Sequence, residues 1–290
     1  MKSKAAMTLD RLLSRYGVAS RSAAREMIEA GRVRVNGSVQ RDPEHWVNRA
    51  SDKVQLDGER LQPERKTYLL FYKPKGVIVS HGDPDGRKTI YDYLGQYVGN
   101  DDRPRGAAGT SRPRAPRPRP SAASAMAAPR GGWLSPVGRL DKDTSGLLLV
   151  TNDTEFANFV TNPRSKVPKT YLVKVSGLVD DGIVARLAGG VTMNRGDEAR
   201  PISVRRLEDR GKYTWLEVVL TEGKNREVRR MIEAVGFKVL KLVRTAIGPL
   251  TLAGLEVGKW RTLSSAEVSR VKGGSGVRAR ESGPEPAGIA

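Results

Sequence analysis

The chain contains 290 residues and has a net charge of +19, because 51 lysines and arginines outnumber 32 acidic residues. This length corresponds to about two domains, and the hydrophobic content is sufficient for folded cores. The absence of cysteine excludes disulfides, thiol nucleophiles and cysteine zinc sites. Two histidines far apart in sequence argue against a histidine metal site or a Ser–His–Asp triad. The charge indicates a polyanionic partner, and we favour nucleic acid because no basic amphipathic helix stands out.

No segment of the sequence indicates membrane insertion or export. The longest apolar run, Leu147–Val150, is far shorter than the roughly 18 residues of a membrane span. The basic N-terminus lacks the apolar segment of a signal peptide. We therefore expect a cytoplasmic protein with no membrane partner, and a monomer because no coiled-coil pattern is present.

The first block of the chain predicts two short helices. The leucines of residues 9–13 have helical spacing, and Gly17 is placed to end that helix. Ser20 is the expected N-cap of a second helix, which runs to Glu29 and stops at Gly31.

A β-hairpin is predicted immediately after these helices. Val33 and Val35 alternate with arginines before Asn36-Gly37, a dipeptide typical of two-residue hairpin turns. Another strand is expected over Val54–Leu56, followed by an Asp57-Gly58 turn. The block therefore has the order helix, helix, hairpin and strand.

This block resembles the alpha-L, or S4-like, RNA-binding domain that a small-subunit ribosomal protein shares with bacterial tyrosyl-tRNA synthetase. The resemblance lies in Leu9-Asp10-Arg11-Leu12-Leu13, Ser20-Arg21-Ser22 and the run from Ile28 to Gly37. It implies an RNA-binding domain over residues 8–62. A solvated surface is the alternative for the arginines that would cluster around the second helix and hairpin, namely Arg21, Arg25, Arg32 and Arg34.

A second, larger domain is expected over residues 66–271. Tyr68–Tyr72 is predicted as a strand that turns at Lys73-Pro74-Lys75-Gly76 and continues through Val77–Val79. An insert at 99–131 is rich in Arg, Pro and Ala, and we expect it to be disordered because it has too little apolar surface to offset the entropy of ordering. A disordered tail is expected over 273–290.

The remainder of the second domain mixes strands with short helices. Tyr171, Val173 and Val175 alternate with polar or outward positions, and Trp215–Leu220 and Val239–Val243 are further strand candidates. Asn225 is placed to cap a helix with an apolar stripe over Val228, Met231, Ile232 and Val235 before Gly236. Strands outnumber helices without alternating regularly with them, which favours an α+β fold over a doubly wound parallel sheet.

The segment Gly138–Val150 carries the most informative chemistry, because a carboxylate-bearing loop runs directly into a buried apolar run. Asp141, Asp143, Ser145 and Gly146 match the first ligand positions of a calcium loop, but Leu149 and Asn152 occupy later positions where ligands are required. A turn shaped by carboxylates is a second interpretation. A catalytic carboxylate beside an arginine is the third.

The third interpretation gains support from a resemblance that spans several motifs. The run Gly138-Arg139-Leu140-Asp141-x-Asp143-Thr144-Ser145-Gly146 resembles the signature of ribosomal RNA pseudouridine synthases of the RsuA/RluB type. Lys169-Thr170-Tyr171, the run from Glu222 to Met231 and the Lys73-Pro74-Lys75-Gly76 region resemble further motifs of that family in the same order. The resemblance implies an α+β fold in which a helix–helix–hairpin domain precedes a mixed, mainly antiparallel sheet.

The resemblance also implies roles for individual residues. Asp141 would be the catalytic carboxylate, kept charged by Arg229, and Tyr171 would stack on the target uracil, although core packing is the alternative for Tyr171. Arg139 would contact the substrate around an extruded base. Three further basic residues are expected to bind RNA phosphates: Lys224, Arg226 and Arg230.

The implied reaction breaks the uridine glycosidic bond, turns the uracil and rejoins it through carbon 5, so no metal or organic cofactor is required. Large-subunit 23S ribosomal RNA, or a subunit precursor, is the favoured partner because of the run Asn225-Arg226-Glu227-Val228-Arg229-Arg230. A 16S ribosomal RNA target, a non-catalytic RNA-binding or ribosome-assembly factor and a calcium-dependent binding module are the alternatives.

Overall fold

The computed structural model describes residues 6–19, 21–62, 65–80, 83, 85–95, 134–194 and 196–274. The predicted insert at 99–131, the cap residue Ser20 and most of the predicted tail lie outside this part of the chain. The described residues group into two compact units, one within 1–69, 80–136 and 150–154 and the other within 70–79, 137–149 and 155–290. The boundaries 8–62 and 66–271 stay predictions.

The N-terminal part of the chain contains two helices and six short strands. Both predicted helices and the predicted hairpin are present. Their elements are β1 (Ala6–Thr8), α1 (Leu9–Arg15), α2 (Arg21–Glu29), β2 (Val33–Val35), β3 (Ser38–Gln40), β4 (Trp46–Asn48), β5 (Val54–Leu56) and β6 (Glu59–Arg60).

A tight turn fixes the register of the β2–β3 hairpin. Asn36 and Gly37 both have positive φ, at 52° and 88°, which is the backbone of a type I′ turn and explains the Asn-Gly dipeptide. β3, β2, β5 and β6 form a four-stranded sheet in that order, while β1 pairs with β4, a strand pair that the sequence pattern did not predict. The leucines of α1 pack with Met27 and Ile28 of α2 in one apolar core.

The rest of the described chain is built around a nine-stranded sheet. Its strands and helices are β7 (Tyr68–Lys73), α3 (Tyr91–Leu94), β8 (Ser135–Pro136), β9 (Ser145–Thr151), α4 (Thr154–Thr161), β10 (Lys169–Val175), α5 (Asp181–Gly189), β11 (Val191–Thr192), β12 (Glu198–Ala199), β13 (Ser203–Arg210), β14 (Tyr213–Leu220), α6 (Glu227–Ala234), β15 (Val239–Ile247), β16 (Leu250–Thr251), β17 (Trp260–Thr262) and α7 (Ser265–Gly273).

The strand order is β13-β14-β10-β15-β9-β7-β17, with β16 on β15 and β8 on β9, while β11 and β12 pair separately. β10 is antiparallel to both β14 and β15, whereas β15 and β9 are parallel. The sheet is therefore mixed, and the predicted α+β fold class is confirmed. In β14, buried residues alternate with more exposed ones, as expected for a strand with one face against a core. That core joins β10, β14 and the apolar face of α6.

Three local predictions were wrong. Val77–Val79 does not continue the strand, because only Ile78 makes a bridge there. The N-cap of α6 is Arg226 rather than Asn225, and the helix ends at Ala234, so Val235 lies at its C-cap. The tail cannot begin at Gly273, because α7 includes that residue.

Candidate active site

The loop before β9 carries Asp141 and is fixed by a buried lysine. Lys73, at the end of β7, is fully buried, and its Nζ donates hydrogen bonds to the carbonyl oxygens of Pro74 (3.1 Å), Asp141 (3.1 Å) and Thr144 (2.8 Å). The Gly76 amide donates to the Lys142 carbonyl at 2.8 Å. These bonds attach the loop main chain to the end of a core strand and leave the side chain of Asp141 free to face outward.

Burial lowers the pKa of Lys73 to about 8, although the charges of Asp141 and Asp143 act in the opposite direction. The lysine therefore stays largely protonated near neutral pH, and its hydrogen bonds to the loop carbonyls are charge-assisted. Such bonds are stronger than neutral hydrogen bonds. They hold a loop whose position determines where the Asp141 carboxylate lies.

The same loop enters β9 through a very close contact between two strands. Gly146 has a φ of +119°, and a Cβ atom at this position would lie 2.3 Å from the carbonyl oxygen of Arg244 in β15. Only glycine fits there. The buried Arg244 side chain donates from Nε to the Leu147 carbonyl at 2.8 Å, which ties β15 to β9 directly after the loop.

Asp141 faces the N-terminal end of α6. Its carboxylate is 36% exposed, and Oδ2 lies 3.9 Å from Nη1 of Arg226. Arg226 adopts a left-handed conformation with φ 48° as the residue that flanks α6. The carboxylate therefore has one cation nearby, at a distance too long for a hydrogen bond, and remains open to solvent.

Arg229 lies on α6 and is more buried than Arg226. Its Nη2 donates to the Asp143 carbonyl at 3.0 Å, its Nη1 donates to the Val239 carbonyl at 3.3 Å, and its buried Nε has no partner among the described residues. Burial and the charge of Arg226 lower the pKa of Arg229, while Asp141 and Asp143 favour its charged form. Arg229 thus interacts electrostatically with Asp141, but the ion pair within 4.0 Å is made by Arg226.

Tyr171 lies in the middle of the sheet on the core side. It is only 8% exposed and belongs to the apolar cluster that contains Val228 and Met231 of α6. The strand register places it opposite Arg244, and Arg244 opposite Gly146, so one row of residues leads from Tyr171 to the strand that carries the Asp141 loop. Core packing and a contact with substrate are both compatible with this position.

Comparison with known proteins identifies the family of this chain. Residues 67–234 match the family model described as RNA pseudouridylate synthase, and residues 7–54 match the S4 domain. The chain belongs to the RNA pseudouridylate synthase family. Members of this family are isomerases, and RNA is their substrate class.

Several relatives in the family cover nearly the whole chain. An uncharacterized RNA pseudouridine synthase of Aquifex aeolicus is 37% identical over 91% of this chain and 92% of its own length. The ribosomal large subunit pseudouridine synthase B of Bacillus subtilis is 35% identical over 91% of this chain and 95% of its own length. A crystal structure titled pseudouridylate synthase is similar with a TM-score of 0.57 at 25% identity, covering 91% of this chain and 99% of that chain.

The basic residues predicted to bind RNA differ in their exposure and in the protein groups that they already contact. Arg139 is exposed, and the buried Leu140 separates it from Asp141 along the chain. Lys224 donates to the Glu198 carbonyl and pairs with Glu222, and Arg230 pairs with Asp197 at 2.6 Å. Lys224 and Arg230 therefore support loops next to α6 in this structure, whereas Arg139 and Arg226 are exposed and Arg226 lies near Asp141.

The predicted arginines of the S4 domain are also engaged. Arg21 and Arg25 both contact the buried carboxylate of Asp10, at 2.7 and 3.2 Å. Arg25 also pairs with Glu44, Arg32 pairs with Asp57, and Arg34 donates to the Gly37 carbonyl. Arg21 and Arg25 remain about half exposed, so they keep a surface for phosphates, and RNA binding by this set stays a prediction.

Sequence reasoning missed the buried charged residues that build the site. Lys73 was assigned to a turn, and Arg244 and Glu227 were given no role of their own. A charged residue inside an otherwise apolar strand is the signal for Lys73 and Arg244, because such a residue is buried only with polar partners. The described helices include none that is long and apolar enough to cross a membrane.

Proposed function

We propose that this enzyme converts a uridine of large-subunit ribosomal RNA to pseudouridine, with Asp141 as the catalytic carboxylate. The observation that carries the proposal is the geometry of Asp141, a partly exposed carboxylate on a main chain held by Lys73 and faced by Arg226 and Arg229. A carboxylate in such a setting faces cationic groups and can reach a base that enters from solvent.

The choice of ribosomal RNA rests on the relatives and on the S4 domain. Curated relatives that cover most of this chain are named ribosomal large subunit pseudouridine synthase B, and the S4 match lies where the arginines of α2 and the hairpin cluster. We extend that substrate to this chain, with a monomeric enzyme in the cytoplasm. In this proposal Tyr171 stacks on the uracil, Arg139 contacts the strand from which the base is extruded, and the S4 arginines bind phosphates.

The test is release of tritium from RNA labelled at carbon 5 of uridine. The reaction replaces the C5–H bond by a C5–C1′ bond, so tritium enters water once for every pseudouridine formed. Large-subunit and small-subunit ribosomal RNA transcripts are assayed separately, with ribosomal particles as a second pair of substrates. We expect release from large-subunit RNA or its particle only.

The catalytic assignment is tested with two matched variants. Asp141→Asn removes the charge at nearly constant shape, and we expect it to abolish turnover while RNA affinity stays near that of the wild type. Asp143→Asn is the control, because Asp143 is exposed and contributes its main-chain carbonyl, which the substitution keeps, to Arg229. Turnover by Asp141→Asn at the wild-type rate would refute the role of Asp141, and tritium release from small-subunit RNA alone would refute the large-subunit target.

A further inference from the structure

Glu227 is a buried carboxyl group at the first residue of α6. The residue is 3% exposed, and its Oε2 accepts a hydrogen bond from the main-chain amide of Lys224 at 2.9 Å. The Glu227 amide in turn donates to the Lys224 carbonyl at 3.1 Å. Two bonds therefore close the loop 224–227, which contains Arg226 in its left-handed conformation.

The second oxygen of this carboxyl group is sealed from solvent. Glu227 Oε1 has no hydrogen-bond donor among the described residues. An ionised carboxylate with an unpaired oxygen in such a place is strongly disfavoured. A proton on this oxygen removes the charge and turns the unpaired acceptor into a donor.

The groups around Glu227 include an acceptor for that proton. The Glu222 side chain is such an acceptor, because it acts on Glu227 as a hydrogen-bond partner and as a nearby negative charge. Glu222 is held by Lys224, whose Nζ lies 3.2 Å from its Oε1. Lys224 and Lys169 of β10 also interact electrostatically with Glu227, and the Lys169 Nζ donates to the Thr221 carbonyl at 2.9 Å.

We propose that Glu222 and Glu227 share one proton, and that this carboxyl pair makes Glu227 a positioning residue for Arg226 and Arg229 opposite Asp141. The inference rests on the proposed function, because it assigns the position of the two arginines a role in turnover. Glu227 precedes Arg229 by two residues and follows Arg226 directly, so any change in the loop 224–227 moves both guanidinium groups relative to the Asp141 carboxylate.

The pair also makes the site sensitive to pH. Burial raises the pKa of Glu227 to about 7, and the nearby Glu222 carboxylate acts in the same direction against the Lys224 amide. Above that pH, the buried Glu227 carboxylate and the partly exposed Glu222 carboxylate repel each other. A raised pKa means that the stabilisation is present at acidic pH and is lost as pH rises through the folded-state pKa. We therefore expect kcat to fall on the alkaline side while KM changes little.

The experiment compares three variants of the full chain across about pH 4 to about pH 9. Glu227→Gln keeps the size and an acceptor for the Lys224 amide, and it supplies a permanent donor toward Glu222. Glu227→Ala removes all of these groups. Glu256→Gln is the control, because Glu256 is an exposed residue elsewhere on the chain. Tritium release gives kcat and KM, and thermal unfolding at each pH gives stability.

We expect Glu227→Gln to retain turnover at acidic pH, to lose the alkaline decline in kcat, and to lose the decrease in stability that the wild type shows between pH 4.5 and about pH 7. Glu227→Ala should lower kcat by about 10- to 100-fold with a small change in KM, since a displacement of about 1 Å at a reacting group has an effect of that order. An alkaline decline that persists unchanged in Glu227→Gln would belong to Lys169 or Lys73 and would overturn the proposal. Unaltered kcat in a folded Glu227→Ala would also overturn it. Absence of tritium release by the wild-type protein would instead refute the proposed function, and the stability profile would still decide whether the proton is shared.

Discussion

Replacing Lys73 by methionine tests the idea that a buried lysine holds the Asp141 loop in place. The substitution keeps the length of the side chain and removes the ammonium group that donates to three carbonyl oxygens, those of Pro74, Asp141 and Thr144. Charge-assisted hydrogen bonds contribute roughly 2 kcal/mol each, which makes about 6 kcal/mol for three. Lowering the pKa from 10.5 to about 8 corresponds to an opposing dehydration cost of roughly 3 kcal/mol. The net expectation is a loss of about 3 kcal/mol of stability.

Chemical denaturation of Lys73→Met and wild type at neutral pH measures this difference, with Lys75→Met as the control because Lys75 is exposed in the same turn. The pH dependence supplies a second measurement. A lysine with a lowered pKa binds fewer protons in the native state than in the unfolded chain between pH 8 and 10.5, so its contribution to stability improves as pH rises through that window. We expect this improvement in the wild type and its absence in Lys73→Met.

Turnover should fall together with stability. Once the loop carbonyls lose their anchor, Asp141 is no longer fixed, and a displacement of about 1 Å is expected to lower kcat on the order of 100-fold. RNA affinity should change little because Lys73 is buried away from the RNA. A stable Lys73→Met protein with wild-type kcat would refute the reasoning, because the loop would then hold its position without the lysine.

Two further substitutions probe other buried contacts. Gly146→Ala should destabilise the fold by roughly 3 kcal/mol or more and reduce turnover, because the new Cβ would lie 2.3 Å from the Arg244 carbonyl. Gly223→Ala is the control, because a Cβ at Gly223 would meet open space. Equal melting temperatures for the two variants would contradict the close contact. Asp10→Asn should cost roughly 1–3 kcal/mol by weakening the bonds from Thr8, Arg21 and Arg25. Although burial opposes ionisation, these bonds lower the pKa of Asp10 to about 2. The stabilisation by Asp10 is therefore present above pH 3.8 and is lost as pH falls through about 2. An acid-unfolding profile of Asp10→Asn identical to that of the wild type would count against this network of hydrogen bonds.

Local pattern accounts for the parts of the fold that the sequence predicted well. Asn36-Gly37 and Asp57-Gly58 require positive φ at both positions, so each dipeptide specifies its own turn. The strand β10 and the apolar face of α6 follow from simple periodicity. Pairs such as β1 with β4, or the parallel pairing of β15 with β9, depend on contacts between distant segments and leave no local signal.

The candidate site shows the same difference between features that a local pattern predicts and contacts that it does not. Motif resemblance, which identifies residue types at fixed spacing, supplies Asp141, Tyr171 and Arg229 as candidates whose roles stay predictions. Their partners were not predictable, because the hydrogen bonds of Lys73, Arg244 and Arg229 go to main-chain carbonyls, and every residue has one. The sequence also pointed to Arg229 as the partner of Asp141, whereas the turn before α6 brings Arg226 within 3.9 Å. Side-chain direction at a left-handed residue depends on the loop closure by Glu227, which no periodicity reveals.

This use of main-chain partners leaves the Asp141 carboxylate available for its proposed catalytic role. If Lys73, Arg229 or Arg244 donated to the Asp141 carboxylate directly, that carboxylate would be fully satisfied and would have to break strong bonds before acting. Instead, the three cations donate to carbonyl groups of residues 141, 143, 144 and 147, and so they fix the backbone on both sides of the aspartate. Among the described residues, the nearest counter-charge of the carboxylate itself is Arg226 at 3.9 Å, and Arg229 and Lys73 interact with it at longer range. The structure thus fixes where the carboxylate lies while leaving its oxygens available, which is the arrangement that electrostatic preorganisation of a catalytic group requires.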